Sequence, residues 1–394
     1  MKERIQELTQ KYFDQIVAYR RDIHQHPELA YKEERTMGVI ADALTAMGIE
    51  HKTHVGGYGV VGLIQGGKGA GKCIGIRADI DALPFTEDTG LPFSSVNEGV
   101  MHACGHDMHT AGLLGVAHVL NDMKDTFKGI VKLVFQPAEE HAPTGGAPFM
   151  IKDGVLENPH VDAMIALHVW PSVEVGHAAV RYSSMMASSD RISITVKGKS
   201  SHASQPQDGF DAIVMAGQVI SALQSIVARN VPPLEASVVT IGTIHGGNVY
   251  NAIADSVQLE GTLRNLNFDV RDMVPKRIEA IVKGITEGMG GSYEFKYAPG
   301  YPPVVNNPEV TEYVYTTMKD VLGDKAVIAP SSALGGEDFG FFSEKVPSCY
   351  FWLGVKTPGV DIAPIHNSKF FPDEKALTYG CEILSGAAIR YLND

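Results

Sequence analysis

Two patterns of apolar and polar residues divide the chain. One pattern is a short apolar run without alternation, typical of strands buried on both faces of a sheet, and it occurs at residues 59–64, 73–79, 132–136, 164–168 and 349–354. The other is strict alternation, typical of a sheet with one face in water, and it occurs at residues 191–197, 237–243 and 256–264. The alternating strands interrupt the apolar ones. The sequence therefore predicts a discontinuous domain, residues 1–183 and 298–394, with a second domain inserted at 184–297.

Helical periodicity completes the predicted fold. Apolar residues recur at helical spacing in residues 4–24, 34–47 and 111–123, with Thr110 a candidate cap for the third. Two more helices are predicted inside the insert, at residues 209–228 and 270–289. The prediction is an α/β domain with a mostly parallel central sheet and flanking helices. The insert is predicted as a smaller α+β unit, with a four-stranded antiparallel sheet and two helices.

Composition narrows the class of protein. A length of 394 residues suits two domains, and 44% hydrophobic with 20% charged residues is ordinary for a soluble globular protein. The net charge of -13 argues against a nucleic-acid partner. No run of about 18 apolar residues predicts a membrane span, and the charged N-terminal stretch lacks the apolar core of a signal peptide. Four scattered cysteines predict a reducing, cytoplasmic location.

The chemistry is concentrated in residues 101–110, Met-His-Ala-Cys-Gly-His-Asp-Met-His-Thr. Thiolate and imidazole suit Zn, and imidazole with carboxylate suits Zn, Mn, Co or Ni. Cys104 and His106 are separated by one glycine, so in an extended loop both side chains would meet one ion. The alternative is a buried free cysteine beside surface histidines, but the crowding of His102, Asp107 and His109 favours a metal.

Polar residues also follow several of the predicted buried strands. The strand at 73–79 ends in Asp79, and Asp81 follows it. A pair of glutamates, Glu139 and Glu140, follows the strand at 132–136. His168 ends the next strand, and the last histidine, His366, follows the strand at 349–354. Open α/β sheets bind ligands at the carboxyl ends of their strands.

The adjacent glutamates suggest a division of labour. Neighbouring side chains on an extended segment point to opposite sides, so one glutamate could bind metal while the other acts as general base. An adjacent acid pair is otherwise usually a solvated surface feature. Its position at the end of a strand favours the functional interpretation.

The insert carries polar features of its own. His202 lies in a predicted loop between small residues, and a Gly-rich stretch at 246–251 precedes Arg264. A guanidinium group binds a carboxylate in bidentate fashion, although an exposed turn and a surface charge are equally ordinary explanations. Outside the insert, Glu337 and Asp338 in a Gly loop are candidates for lining a substrate pocket.

Taken together, these motifs resemble the aminoacylase/carboxypeptidase family of metallopeptidases, peptidase family M20. Within it, the chain is similar to the amidohydrolase branch, which includes hippurate hydrolase, auxin-conjugate hydrolases and N-acyl-amino-acid deacylases. The resemblance covers nearly the whole chain and is carried by residues 77–84 (Arg-Ala-Asp-Ile-Asp-Ala-Leu-Pro), 101–107, 136–140 (Gln-Pro-Ala-Glu-Glu), 167–168, 201–206, 261–264, 336–339 and 365–367.

The resemblance implies a role for each matching residue. It implies two divalent metal ions per chain, with Zn or Mn favoured and Co or Ni permitted. The implied ligands, with Cys104 as the bridge, are Cys104, His106, Glu140, His168 and His366. Glu139 would be the general base, and Asp81 an acid that orients a ligand or the base. His202 matches a lid histidine that reaches the partner's active site in family dimers, and Asn251 and Arg264 match lid residues that meet the substrate's carboxylate.

The expected activity is hydrolysis of an N-acyl amino acid by metal-activated water, with Glu139 as general base. A metallo-exopeptidase acting on peptides would use the same machinery, and a non-catalytic metal-binding relative is the non-enzyme alternative. A nucleotide-binding protein fits poorly, because no Gly-x-Gly-x-x-Gly connects a strand to a helix. Met108 and Ala254 depart from the family pattern, which leaves the acyl group and the amino acid open.

Overall fold

The structure is a computed structural model that describes all 394 residues. The helices are α1 Lys2–Gln25, α2 Glu34–Ala46, α3 His106–Asp122, α4 Ala147–Lys152, α5 Ala212–Arg229, α6 Phe268–Gly288, α7 Pro308–Leu322, α8 Gly340–Ser343 and α9 Ala376–Asn393. The strands are β1 Glu50–Val55, β2 Gly59–Gln65, β3 Cys73–Asp79, β4 Ile130–Gln136, β5 Ala163–Glu174, β6 Ala178–Val180, β7 Ser184–Met186, β8 Ser189–Lys197, β9 Ser237–Gly246, β10 Ser256–Asn265, β11 Ser292–Tyr301, β12 Val304–Val305, β13 Ala326–Ile328 and β14 Ser348–Lys356.

The chain forms two compact units. The first unit comprises Met1–Met185, Val305–Ser331 and Phe341–Asp394, and the second comprises Met186–Val304 and Ser332–Gly340. Strand β11 runs unbroken through residue 297, and the amide of Ala187 donates to the carbonyl of Gly335. These two features group residues 298–304 and 332–340 with the second unit. The functional domain boundaries at 184 and 297 remain predictions from the sequence.

The first unit is built on an eight-stranded mixed sheet in the order β1-β2-β4-β3-β5-β14-β6-β13. The four strands β4, β3, β5 and β14 are mutually parallel, so their carboxyl ends meet at one edge of the sheet. Every residue of β3 is buried, as its uninterrupted apolar run predicts. The predicted α/β fold is confirmed. Toward each edge of the sheet, strands next to the parallel group pair in antiparallel fashion.

Helices α1, α3 and α9 pack closely in this unit. A Cβ on Gly115 of α3 would lie 2.6 Å from both Cys381 Sγ of α9 and Ile16 Cδ1 of α1. Only a residue without a side chain allows this approach. The core that surrounds these helices is apolar and continuous with the sheet, so the start of α3 is held in a rigid setting.

The second unit has a four-stranded antiparallel sheet in the order β11-β8-β10-β9. Helices α5 and α6 supply the other half of its core, with residues such as Val219, Leu223 and Ile278 fully buried. The outward residues of β8 alternate with the buried ones, as the sequence pattern predicts. The predicted α+β unit is therefore confirmed.

One helix, α5, is long and apolar enough to cross a membrane by length and composition alone. In the second unit it packs Met215, Val219 and Leu223 into the core, and 33% of its residues are buried. The rest of its apolar surface includes Ile213, which is 51% exposed, and Val214, which is 49% exposed.

Candidate metal centre

The segment 101–110 runs directly into α3. The helix begins at His106, and Gly105 precedes it with φ at 86°. The predicted helix start at residue 111 is therefore wrong, and Thr110 is no cap, because its hydroxyl donates to the carbonyl of Asp79 at 3.0 Å. The left-handed backbone of Gly105 turns the chain between loop and helix.

This turn corrects the reason why Cys104 and His106 meet. The sequence suggested an extended loop, whereas the structure places a left-handed residue between a loop and the first turn of a helix. A Cβ at Gly105 would also collide with the side chain of Val169. Glycine is required here by both conformation and space.

A first group of donors comprises Cys104, His106 and His168, whose ligand atoms lie within 4.8 Å of one another. Cys104 Sγ is 3.4 Å from His168 Nε2. His106 Nδ1 lies 2.9 Å from the Asp81 carbonyl, and His168 Nδ1 lies 2.7 Å from the Val169 carbonyl. Because a carbonyl only accepts, both Nδ1 atoms carry the proton. Each Nε2 is therefore the ring atom left to act as a metal ligand. We call this group the first triad.

A second group, the second triad, comprises Cys104, Glu140 and His366. His366 Nε2 lies 3.0 Å from Glu140 Oε1. The loop that carries His366 is fixed by its backbone amide, which donates to the Ala103 carbonyl at 2.7 Å. The His366 side chain is 48% exposed, compared with 12% for Glu140. Cys104 belongs to both triads, so its sulfur is the donor atom that the two groups share.

Glu139 and Asp81 lie beside both triads. Glu139 is 7% exposed and forms a further group of possible metal ligands with His106 and Glu140. The Asp81 carbonyl accepts a hydrogen bond from His106 Nδ1, and its Oδ2 accepts one from the Glu140 amide at 2.9 Å. It thus positions one residue of each triad. Residue Ala138, with φ at 57°, places the glutamates in a turn rather than the extended segment inferred from sequence.

The electrostatics of the cluster fit a bound cation. His106 Nε2 is buried and has no hydrogen-bond partner. Burial opposes protonation of this imidazole, but Asp79, Asp81 and Glu140 raise the pKa of His106 to about 10. Burial and the carboxylates of Glu140 and Glu139 raise the pKa of the Cys104 thiol well above its ordinary value. A divalent cation would compensate these carboxylates, favour the thiolate and replace the proton on the unpartnered Nε2 of His106, so the residues fit the metal that the motif implies.

The other predicted site residues lie in the second unit. The amide of Ala203 donates to the Asn251 carbonyl at 3.1 Å, which joins the loop of His202 to that of Asn251. His202 is exposed, and its Nδ1 accepts from the Ser204 amide at 3.1 Å. Arg264 is on β10, where its guanidinium donates to the Leu263 carbonyl at 3.0 Å and burial lowers its pKa.

Three other residues considered from the sequence are buried. Met108 and Ala254, the departures from the family pattern, belong to the apolar cores of the first and second unit, respectively. Glu337, a residue of the second unit, is 2% exposed, and its carboxylate accepts from the Phe339 amide at 2.9 Å.

Comparison with known proteins decides the family. Residues 75–390 match the model of the peptidase family M20/M25/M40. This chain belongs to peptidase family M20. The predicted resemblance is therefore confirmed, and the protein is a metal-dependent amide hydrolase of that family.

Relatives of this M20 hydrolase span nearly its whole length. An N-acetyl-L-cysteine deacetylase of Bacillus subtilis is 39% identical over 96% of this chain and 88% of its own. Thermostable carboxypeptidase 1 of Saccharolobus solfataricus is 39% identical over 99% of each chain. The solved structure of B. subtilis YXEP, a dinuclear metal-binding peptidase of family M20, has a TM-score of 0.85 and 35% identity over 97% of this chain and 99% of its own.

The M20 site has a buried support that the motifs did not indicate. Asp107 Oδ2 accepts from Arg20 Nε at 2.8 Å and from His24 Nδ1 at 2.9 Å. All three residues are fully buried or nearly so. Arg20 and His24 are on α1, more than 80 residues earlier in the chain. In the sequence, the one signal for Arg20 and His24 is that these two polar residues fall on the face of α1 that is otherwise buried.

Glu33 gives the M20 hydrolase a predictable pH response. Burial and the nearby Asp81 raise the pKa of Glu33 from 4.5 to about 7, and its Oε1 accepts from the Ala138 amide at 2.8 Å. The folded state favours the protonated acid. Glu33 therefore contributes its full share to the free energy of unfolding below pH 4.5, and this contribution is lost as the pH rises through 7. The loss is about 3 kcal/mol.

Glu33→Gln should remove that loss. The free energy of unfolding of wild type relative to Glu33→Gln, measured in urea on metal-free protein, is expected to fall by about 3 kcal/mol between pH 4.5 and pH 8. The amide oxygen of glutamine retains an acceptor for Ala138. An equal difference between the two proteins at both pH values would contradict the prediction.

Proposed function

We propose that this M20 hydrolase cleaves the amide bond of N-acyl amino acids and releases a carboxylate and a free amino acid. The observation that carries the proposal is the pair of triads sharing Cys104, with the buried carboxylate of Glu139 beside them. The N-acetyl-L-cysteine deacetylase relative supports a short acyl group. Acetyl and aromatic acyl groups are both within the proposed class.

Two divalent ions would be held in this site. Cys104, His106 and His168 would hold one, and Cys104, Glu140 and His366 the other. Zn or Mn suits this mixture of thiolate, imidazole and carboxylate best, with Co or Ni as alternatives. Divalent ions supply Lewis acidity, which makes water a better nucleophile near neutral pH and polarises a carbonyl oxygen.

Glu139 is the proposed general base. Its carboxylate accepts a proton from the attacking water and then donates that proton to the nitrogen of the leaving amine. Its low exposure limits exchange of that proton with bulk solvent. Asp81 maintains the arrangement, because its carbonyl orients His106 and its carboxylate fixes the backbone of Glu140.

The inserted domain, residues 184–297, is proposed as lid and dimerisation domain of the catalytic domain formed by 1–183 and 298–394. His202 would stabilise the oxyanion, and Asn251 and Arg264 would bind the substrate's carboxylate. His202→Ala is therefore expected to lower kcat by about 10²- to 10³-fold with unchanged metal content. Metal loss with unchanged kcat per bound ion would make His202 structural.

We propose a homodimer formed through the insert. Strand β9 is an exposed edge of its sheet, and the neighbouring α5 exposes Ile213 and Val214; a sheet edge of this kind can pair across a two-fold axis. Light scattering is expected to give the mass of two chains, and the mass of one chain would reject the dimer.

All four cysteines are free, which supports a cytoplasmic location.

A metallo-exopeptidase is the second candidate function. The carboxypeptidase relative aligns with 99% of this chain, and the same metal site can hydrolyse a peptide bond. Assays of N-acetyl amino acids, N-acyl dipeptides and free dipeptides at equal concentration separate the candidates. If kcat/KM is higher for the peptides than for the N-acetyl amino acids, the protein is a peptidase rather than a deacylase.

Metal removal tests the proposal directly. Protein purified without chelator is expected to contain about two ions per chain and to hydrolyse an N-acyl-amino-acid panel. Treatment with EDTA should abolish hydrolysis, and one of Zn, Mn, Co or Ni should restore it. Elemental analysis of the same samples identifies the ion. No metal and no hydrolysis after reconstitution with all four would reject the enzyme assignment.

A further inference from the structure

His109 is a conspicuous residue of the metal-binding segment that the proposed mechanism leaves without a role. It lies in the first turns of α3 and is 4% exposed. Its Nε2 is 3.0 Å from the backbone nitrogen of Val169, and its Nδ1 is 2.5 Å from Asp79 Oδ1. Because a backbone N–H only donates, Nε2 is the acceptor and the proton resides on Nδ1. Both ring nitrogens are therefore committed.

The first contact of His109 supports His168. The Val169 amide belongs to the peptide bond that directly follows His168, so the accepted hydrogen bond fixes the backbone of that ligand. The rings of His109 and His168 also pack edge to face, with centroids 4.7 Å apart. His109 thereby restrains both the backbone and the ring of one residue of the first triad.

The second contact leads to His106. Asp79 is fully buried and pairs with Arg77 Nη1 at 2.6 Å as well as with His109. Its Oδ2 lies 3.7 Å from His106 Nε2, and the rings of His106 and His109 are stacked with centroids 5.4 Å apart. His109 therefore holds a negative charge beside the second imidazole of the first triad.

We propose that His109 is a positioning residue for the first triad, acting on His168 through the Val169 amide and on His106 through Asp79. The inference rests on the proposed function, because it requires that the first triad binds a metal ion. Residues that orient metal ligands typically contribute 10- to 100-fold in metal affinity. Both contacts lead to the first triad, so the effect is specific to one of the two ions.

Two conservative substitutions separate the contacts. In His109→Gln, the amide extends about as far as Nε2 and can still accept from Val169, whereas in His109→Asn it lies near Nδ1 and can still donate to Asp79. His109→Leu removes both contacts. Zn²⁺ affinity of the metal-free proteins is measured in competition with a chromophoric chelator, and the absorption spectrum of the Co²⁺-loaded proteins reports the thiolate and imidazole ligands.

The expected result is selective weakening. Affinity for one ion should fall about 10- to 100-fold in His109→Leu and less in each conservative variant, with affinity for the other ion unchanged. The Co²⁺ spectrum of the affected site should also change. His118→Gln is the matched control, since His118 lies on the same helix but stacks on Tyr12 with centroids 4.4 Å apart. It should bind both ions as wild type does.

Three outcomes distinguish the possibilities. Wild-type affinity for both ions in all three variants would overturn the inference. Equal weakening of both ions, together with a lower melting temperature of the metal-free protein, would make His109 merely structural and would also overturn it. A wild-type protein that binds no ion would instead reject the proposed function. If His109→Leu does not fold, the glutamine and asparagine variants decide the matter.

Discussion

Glu139→Gln is expected to lower kcat by about 10²- to 10⁴-fold while metal content stays at the wild-type level. Glutamine has nearly the same shape as glutamate, but it cannot accept a proton from water or return one to the leaving amine. Glu139 is buried next to both triads, so no bulk-water base replaces it easily. The measurement is kcat for an N-acyl amino acid, with metal per chain determined on the same sample.

A matched variant separates this role from general effects of the substitution. Glu157→Gln makes the same chemical change at a side chain of the first unit that is 60% exposed, and it should keep wild-type kcat. Glu139→Gln with near-normal kcat would remove Glu139 from the mechanism. Loss of metal in Glu139→Gln would instead indicate that Glu139 is a ligand.

Cys104→Ala is expected to lose both ions and all measurable hydrolysis, whereas His366→Ala should retain about one ion per chain. The reason is that Cys104 belongs to both triads, while His366 belongs only to the second. Removing a shared ligand leaves two donors for each ion, and removing His366 leaves the first triad complete. Metal per chain, measured after exhaustive dialysis, distinguishes the two results.

The control for Cys104→Ala is another buried cysteine. Cys349 is fully buried on β14, a strand that carries no proposed ligand, and Cys349→Ala should keep both ions. If Cys104→Ala retained two ions, the bridging role would be wrong. If His366→Ala lost both ions, the triads would not be separable in the way the geometry suggests.

The sequence predicted the candidate ligands because their signals are local. Cys104 and His106 are two residues apart, and Glu140 and His168 follow or lie in apolar runs whose strands are easily recognised. Parallel neighbours then place these strand ends at the same edge, as general sheet geometry requires. His366 was also indicated by its position, because it follows the apolar run at 349–354, and the likeness of the motifs to family M20 supported its role as a ligand.

The finer geometry was not predictable because it depends on backbone atoms and distant residues. The carbonyl of Asp81 orients His106, but every residue has a carbonyl, so no side-chain pattern indicates that role. The sequence predicted extended segments at Gly105 and Ala138, but both residues have a positive φ and lie in turns. His24 meets Asp107 across 83 residues of sequence, and such pairings arise only when the chain packs.

One edge of the large sheet was also missed, for a different reason. Strand β1 is polar, with only Val55 buried, so its sequence resembles a loop. An edge strand is stabilised by backbone hydrogen bonds to its neighbour, here β2, and those bonds are independent of side-chain hydrophobicity. Apolar runs therefore indicate the centre of a sheet better than its margins.

The unequal exposure of the two triads affects inhibitor design. His106 is 1% exposed and His366 is 48% exposed, so a metal-binding group such as a hydroxamate or thiol is expected to have its most direct access from the His366 side. A compound that grows outward from this imidazole avoids the closely packed start of α3. Gains in potency should therefore come from the scaffold attached on that side rather than from deeper penetration toward His106.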